Sequence, residues 1–310
     1  MARPSVPPAP PDRGPEPPAG PAADWPRVAR LDAERVTEGL FRATGVRLLV
    51  LGPFAGGQVG AARVRWPDGR PAVLKWRPGV AVAAFRRGPL AVLEALRATG
   101  YPAPATELLA RVDDAVVMVQ ELLPGSEVAR LDGGLLTRVL GLNAAQADVL
   151  AGRPEVPSVN LHLAADGPGF CLHEPLRRHS RRSLVLADWI AEVAAEHPDD
   201  LLPGDDAVHF DFHPGNLLAA GGALTGVVDW DGAARGDRAL DLVTLRFGLH
   251  GQEPGPGVVD RLDAVLAGLP AGTLRRCWAH MSLRMVDWAI RHHTPSDVDH
   301  WLDLAERRTG

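Results

Sequence analysis

The sequence predicts an α+β protein with a strand-rich first part and a mainly helical second part. Between residues 47 and 122, β-rich segments alternate with turn signals. After residue 125, apolar residues recur at helical spacing, and one β-hairpin interrupts the helical pattern. We therefore expect a five-stranded sheet with one helix in a lobe of residues 29–122, followed by a helical lobe of residues 123–310.

The chain begins with a segment whose composition does not favour a packed core. Nine of the 29 prolines fall within residues 1–25, so residues 1–28 are predicted to be a disordered, proline-rich tail. A helix is expected to start near Asp32, because apolar residues follow at helical spacing. Gly45 is suited to close that helix.

Five strands are predicted next. The first three are separated by the glycine-rich bend of residues 52–60 and by the turn Pro67-Asp68-Gly69. The third strand, "PAVLKW", carries Lys75, the only lysine in the chain. A helix from Pro89 to Thr99 follows, since proline suits the first helical turn, and the strands "TELLARV" and "AVVMVQEL" complete the sheet.

Helical segments are predicted in the second part at about 132–151, 183–197, 257–268 and 272–308, the last with breaks. A proline- and glycine-rich loop is predicted at about 152–180. The hairpin "NLLAAGGALTGVVDW" has two apolar runs around Gly221-Gly222, a dipeptide that favours a two-residue turn.

Composition narrows the class of protein. The net charge of -5 argues against nucleic acid as a partner. The first residues lack a signal-peptide pattern, and no run reaches the roughly 18 apolar residues that a membrane helix needs. Only two cysteines are present, Cys171 and Cys277, which is typical of a cytoplasmic protein without a disulfide framework. Nothing in the composition predicts an oligomeric state.

Polar residues flank the hairpin in a pattern suited to phosphoryl transfer. "HFDFHPGN" precedes it and "DWD" follows it. A turn centred on Gly221-Gly222 brings Asp229 back opposite Pro214, close to Asp211 and Asn216. Two carboxylates and an amide oxygen form a hard-oxygen site of the kind that Mg²⁺ prefers. Purely structural roles are the alternative: Asp211 could cap a turn, and Asp229 could end a strand.

The stretch "HFDFHPGNLL…GVVDWDGAARGDRALDL" resembles the aminoglycoside phosphotransferase family, which shares its fold with choline kinases and, more distantly, protein kinases. The resemblance is strong over residues 205–245 and weaker over residues 45–125. It implies a bilobal, protein-kinase-like fold and a small-molecule kinase. It also implies that Asp211 is the catalytic base, that Asn216 and Asp229 bind Mg²⁺, and that His209 organises the catalytic loop.

The same resemblance implies a nucleotide site in the first lobe, for ATP with GTP left open. Lys75 is expected to contact the phosphates, because a compact ammonium meets phosphate oxygens as a point charge. The bend containing Gly56 and Gly57 is expected to cover the phosphates. Backbone groups of Gln120 and Leu122 are expected to bind the purine edge.

Two positions depart from the family pattern. Phe210 stands where relatives usually have glycine. The glutamate that pairs with the lysine in relatives has no counterpart at the usual spacing, and Glu94 is the only acid on the predicted helix. We therefore expect either that Glu94 is the partner of Lys75 or that the lysine is held differently.

The acceptor is expected to be a small-molecule hydroxyl, since no long activation segment follows Asp229. An antibiotic is the leading candidate, in resistance or self-resistance. A metabolic kinase of choline, homoserine or sugar type and a catalytically silent binding protein are the alternatives. An acidic run would suit a polycationic acceptor or form a solvated helix face; its members are Asp188, Glu192, Glu196, Asp199, Asp200, Asp205 and Asp206.

Overall fold

The computed structural model describes residues 29–55, 59–250 and 252–309. The predicted tail of residues 1–28 and the predicted phosphate-contacting Gly56 and Gly57 lie outside the described residues.

Helix α1 (Ala33–Thr44) precedes a five-stranded antiparallel sheet with strand order β1-β2-β3-β5-β4. Asp32 caps α1, and Gly45 ends it in the left-handed conformation with φ 75°, as the sequence predicts. The strands are β1 (Leu49–Pro53), β2 (Ala61–Arg65), β3 (Pro71–Pro78), β4 (Thr106–Val112) and β5 (Ala115–Glu121). The predicted α+β fold with a five-stranded sheet is confirmed.

The helical segment between β3 and β4 begins earlier than predicted. It consists of α2 (Val82–Phe85), a π-helical turn (Arg86–Leu90) and α3 (Ala91–Ala98). Pro89 lies inside the π-helical turn, although the sequence analysis placed it at the first helical turn. A wider turn accommodates a residue that lacks the N–H of a regular α-helix.

Strand β5 is buried along almost its whole length because both faces of the sheet are covered. Val117 and Val119 pack with α1 in one apolar cluster. On the opposite face, Val116 and Met118 pack against Phe85 of α2. Burial on both sides explains why "AVVMV" is apolar without alternation.

The second part is mainly helical, as predicted, and the last predicted segment is interrupted, also as predicted. Its helices are α4 (Gly133–Ala144), α5 (His173–His179), α6 (Arg181–Glu196), α7 (Ala239–Phe247), α8 (Val258–Ala267), α9 (Ala271–His292) and α10 (Pro295–Ala305). Helix α5 lies within the predicted loop of residues 152–180. The predicted helix at 272–308 breaks at His293, where Thr294 caps α10 with Pro295 in its first turn.

Five short strands accompany these helices: β6 (Ser126–Glu127), β7 (Asp206–Val208), β8 (Leu217–Ala220), β9 (Ala223–Val227) and β10 (Ala234–Gly236). The predicted hairpin is β8–β9, and β6 extends it to three strands. Strands β7 and β10 pair with each other; at three residues each they are too short for a readable alternation. No helix among the described residues combines the length and apolar character that crossing a membrane requires.

Candidate active site

The hairpin β8–β9 places Asn216 and Asp229 at one end of a short ribbon. The Gly221-Gly222 turn has φ values of 56° and 76°, the left-handed conformation that such a turn requires. The Val228 N–H donates to the Asn216 carbonyl at 2.9 Å, so Asp229 follows directly beside this residue. A register shift within the hairpin moves Asp229 one position away from the predicted place opposite Pro214.

The Lys75 ammonium lies between two carboxylates that follow β9. Its Nζ is 2.6 Å from Asp229 Oδ1 and 2.8 Å from Asp231 Oδ2. Only 13% of the Lys75 side chain and 5% of the Asp231 side chain are exposed, so water screens this contact weakly. Burial acts to lower the pKa of Lys75, but the two carboxylates outweigh it and raise that pKa. In turn, Lys75 lowers the pKa of Asp229.

Three side chains surround the Asp211 carboxylate. Its Oδ1 is 2.8 Å from Arg284 Nη2, and its Oδ2 accepts a hydrogen bond from Asn216 Nδ2 at 3.2 Å and lies 3.4 Å from His213 Nε2. Burial acts to raise the pKa of Asp211, but Arg284 and His213 hold it well below its usual range. The carboxylate is therefore ionised at neutral pH and acts as a hydrogen-bond acceptor.

Asp241, from α7, holds the backbone of the loop that carries Asp211. Its carboxylate accepts the N–H groups of His209 at 2.8 Å and Phe210 at 2.9 Å. Gln146 Nε2 donates to it at 2.8 Å. Burial raises the pKa of Asp241 to about 7 against the effect of these donors. His209 is also fully buried, and its Nε2 lies 2.8 Å from the Val228 carbonyl, which ties the loop to β9.

Phe210 has a backbone conformation that glycine normally provides. Its φ is 72°, a region that costs a non-glycine residue about 1–2 kcal/mol. Asp241 holds its N–H, and Arg284 Nη1 donates to its carbonyl at 2.6 Å. Glycine adopts a left-handed φ without this strain, which accounts for the glycine that the family resemblance implies at this position.

Asn216 and Asp229 carry oxygen atoms suited to Mg²⁺. Asn216 Nδ2 donates to the Asp211 carbonyl at 2.8 Å, and this bond orients the amide. Among the described residues, no hydrogen bond engages Asn216 Oδ1 or Asp229 Oδ2. Within the same residues, no cluster of three or more His, Cys, Asp or Glu side chains is arranged to hold a metal ion. Amide and carboxylate oxygens are ligands that Mg²⁺ accepts, so Asn216 Oδ1 and Asp229 Oδ2 fit a cation held by one amide and one carboxylate.

The other predicted nucleotide-site residues lie in different surroundings. Glu94 is exposed on α3, and no ion pair joins it to Lys75 in the described chain. Of the two expected alternatives, the second is the one seen: Lys75 is held differently, by Asp229 and Asp231. The Gln120 side chain is buried at the end of β5 and donates to Thr106 Oγ1 at 3.3 Å. Leu122 follows β5 on the way to β6.

Sequence reasoning missed two side chains that contact the proposed catalytic groups. Asp231 holds Lys75, and its position in "DWD" was a usable signal. Arg284 contacts Asp211 from α9, and no motif surrounds it. Arg284 and Asp211 are 73 residues apart in the chain, so only the folded chain brings them together.

Comparison with known families matches residues 50–279 to the phosphotransferase enzyme family. A search of curated proteins found no match.

Solved structures of similar fold include both aminoglycoside and sugar-amine kinases. A thermostable mutant of aminoglycoside phosphotransferase APH(4)-Ia in its apo form superimposes with a TM-score of 0.65 at 17% identity, over 88% of this chain and 98% of that chain. The same enzyme in a ternary complex with ADP and hygromycin B has a TM-score of 0.62 at 17% identity, over 89% and 98%. A putative fructosamine-3-kinase from Haemophilus somnus has a TM-score of 0.56 at 12% identity, over 88% and 96%. At these identities the likeness shows the fold.

Proposed function

Because this chain belongs to the phosphotransferase enzyme family and is a small-molecule kinase, we propose that it transfers the γ-phosphoryl group of ATP to a hydroxyl of an antibiotic. One observation carries the proposal. Lys75 is on strand β3 of the sheet, and its ammonium lies 2.6 Å from Asp229, which follows the hairpin. Asp211 and Asn216 lie at the same end of the hairpin. A phosphate-binding cation and a candidate magnesium ligand therefore meet at one point.

In the proposed reaction, the acceptor hydroxyl hydrogen-bonds to the Asp211 carboxylate. The hydroxyl oxygen forms a bond to the γ-phosphorus, the bond between that phosphorus and the bridging oxygen breaks, and ADP leaves. The proton of the hydroxyl passes to Asp211. With its pKa held low, Asp211 is a weak base, so its main contribution is to orient the nucleophile, as positioning and electrostatics dominate phosphoryl transfer.

The proposed nucleotide site is formed by residues of both halves. Lys75 would exchange part of its contact with Asp229 and Asp231 for contact with phosphate oxygens. The backbone at Gln120 and Leu122 would bind the purine of ATP or GTP. Asn216 and Asp229 would hold Mg²⁺, which supplies neutralisation of phosphate charge when bound. The structurally similar APH(4)-Ia forms a ternary complex with ADP and hygromycin B, which supports nucleotide binding by a chain of this fold.

A metabolic small-molecule kinase is the second candidate function. The structural similarity to a putative fructosamine-3-kinase favours it. A catalytically silent binding protein is disfavoured, because Lys75, Asp211 and Asp229 are all present. Lys75 contacts Asp229, and Asp211 contacts Asn216.

Two measurements test the proposal. Titration with ATP or GTP in the presence of Mg²⁺ should show binding that Lys75→Met weakens at least tenfold, and absence of nucleotide binding would refute a kinase. Expression in a sensitive host should then protect against at least one antibiotic class, and Asp211→Asn should abolish that protection. Protection against none would favour the metabolic kinase.

We also propose that residues 29–122 and 123–310 act as two lobes around this site.

A reducing, cytoplasmic setting is supported by Cys171 and Cys277, which are both buried and free.

A further inference from the structure

Arg284 contacts one oxygen of the Asp211 carboxylate, and Asn216 contacts the other. It projects from α9, and its Nη2 donates to Asp211 Oδ1 at 2.8 Å while its Nη1 donates to the Phe210 carbonyl at 2.6 Å. Its guanidinium carbon lies 5.2 Å from the centre of the Phe210 ring. A cation is thus held in direct contact with the proposed base, by two hydrogen bonds and one aromatic ring.

The Arg284 guanidinium retains hydrogen-bonding capacity. A guanidinium has five N–H donors, and among the described residues only the Asp211 carboxylate and the Phe210 carbonyl accept from it. The side chain is 22% exposed. Arg291, two turns further along α9, provides a contrast. Its Nε and Nη2 bind the buried Asp287 carboxylate at 2.6 and 2.7 Å, and only 6% of its side chain is exposed.

Among the described residues, no member of the acidic run considered as a wall for a polycationic acceptor contacts Asp211 or Arg284. Most of its members make structural contacts. Asp200 accepts backbone N–H groups of residues 163 and 164, Asp205 and Asp206 bind Arg235 and Arg238, and Glu196 and Asp199 pair with Arg275 and Arg276. The remaining two, Asp188 and Glu192, are exposed on α6. The run therefore supplies solvated or structural carboxylates.

Two further aromatic rings lie close to the Phe210 ring. The Phe170 ring lies 6.1 Å and the His280 ring 5.2 Å from the Phe210 ring, centre to centre. Burial lowers the pKa of His280 to about 3, so this imidazole is neutral at physiological pH. The Phe210 ring therefore lies among neutral aromatic rings and the Arg284 cation.

Resting on the proposed function, we infer that Arg284 recognises the acceptor through a carboxylate, so that the acceptor is a hydroxy acid rather than a polycation. A guanidinium with spare donors in fork geometry suits a carboxylate. The hydroxyl bound to Asp211 and a carboxylate bound to Arg284 would lie roughly 4–6 Å apart, from ordinary hydrogen-bond lengths. The hydroxyl and carboxylate are therefore separated by only a few bonds.

The test uses matched acids and neutral alcohols with the full chain, ATP and Mg²⁺. The pairs are glycerate with glycerol, glucuronate with glucose, and N-acetylhomoserine with its amide. We expect kcat/KM for at least one acid to exceed that of its neutral partner by about 10–100-fold, the range of a charge-assisted hydrogen bond. A neutral partner that is phosphorylated as fast as its acid overturns the inference, and so does failure of every acid to react or to bind at millimolar concentration.

Variants separate recognition from positioning of Asp211. Arg284→Gln should remove the acid-to-neutral ratio, whatever happens to absolute rate, and mainly by raising KM for the acid. Arg284→Lys keeps the charge and should retain part of the acid-to-neutral ratio. This variant provides the test if Arg284→Gln folds poorly. Arg275→Gln, on the same helix but paired with Glu196, is the control and should leave the ratio unchanged. An unchanged ratio in Arg284→Gln overturns the inference.

Failure of the inference can be told apart from failure of the proposed function. If ATP binds and a neutral or polycationic acceptor is phosphorylated, the kinase stands and the carboxylate is wrong. If no nucleotide binds, the proposed function itself fails.

Discussion

Removing the Lys75 charge should destabilise the folded chain through Asp231. The ammonium contacts Asp231 Oδ2 at 2.8 Å, and that carboxylate is only 5% exposed. In Lys75→Met the nearest remaining cation is Arg77, whose Nη1 lies 3.8 Å from the same oxygen. The buried carboxylate then keeps only this longer and more exposed contact with a cation.

The expected magnitude follows from the difference between the two carboxylates. Breaking a buried ion pair by removing one partner costs about 3–5 kcal/mol, and the Asp231 side of the contact falls in this class. Asp229 is 47% exposed, so its loss of a partner adds at most about 1 kcal/mol. We expect a total of about 3–6 kcal/mol, or roughly 6–12 °C in Tm at about 2 °C per kcal/mol for a chain of this size.

Thermal unfolding followed by tryptophan fluorescence measures this change. The double variant Lys75→Met with Asp231→Asn should recover most of the loss, because the uncompensated charge is gone. Arg77→Met is the matched control, since Arg77 is 37% exposed and contacts the same carboxylate at 3.8 Å; it should cost less than about 1 kcal/mol. A Lys75→Met variant as stable as the control, or a double variant no better than the single one, would refute this reasoning.

Four further outcomes are expected. Asp211→Asn should lower kcat by about 10²–10⁴-fold with an unchanged circular-dichroism spectrum, and retained turnover would exclude it as the base. Phe210→Gly should be more stable than Phe210→Ala by about 1 kcal/mol in urea unfolding, because both lose the ring but only glycine relieves the left-handed φ of 72°; equal stability would mean that φ carries no strain. Arg284→Gln should raise the pKa of Asp211, so the acidic limb of the kcat/KM profile should move to higher pH, and an unmoved limb would contradict the charge effect. Hydrogen bonds from Thr294 and His250 lower the pKa of Asp297 to about 2; the folded value lies below the unfolded one, so this stabilisation is present above about pH 4 and is lost between about pH 4 and 2, a slope that Asp297→Asn should reduce in acid unfolding curves.

The sequence by itself determined those parts of the protein that depend on neighbouring residues. The strands, the hairpin turn at Gly221-Gly222 and the α1 caps follow from local patterns and turn chemistry. The grouping of Asp211, Asn216 and Asp229 was also predictable, because one turn of fixed length folds this short stretch onto itself. The predicted helix start at Pro89 was wrong. The local pattern indicates a helix start at this proline, but the proline lies inside a π-helical turn of a segment that begins earlier.

Tertiary structure alone decided which partners hold the proposed catalytic groups. Lys75 and Asp229 are 154 residues apart in the chain, Arg284 and Asp211 are 73 apart, and Gln146 and Asp241 are 95 apart. No local periodicity relates positions at such separations, since each contact depends on how the sheet, the hairpin and α9 pack together. For that reason the exposed Glu94 was a reasonable candidate in the sequence, whereas the folded chain gives Lys75 to Asp229 and Asp231.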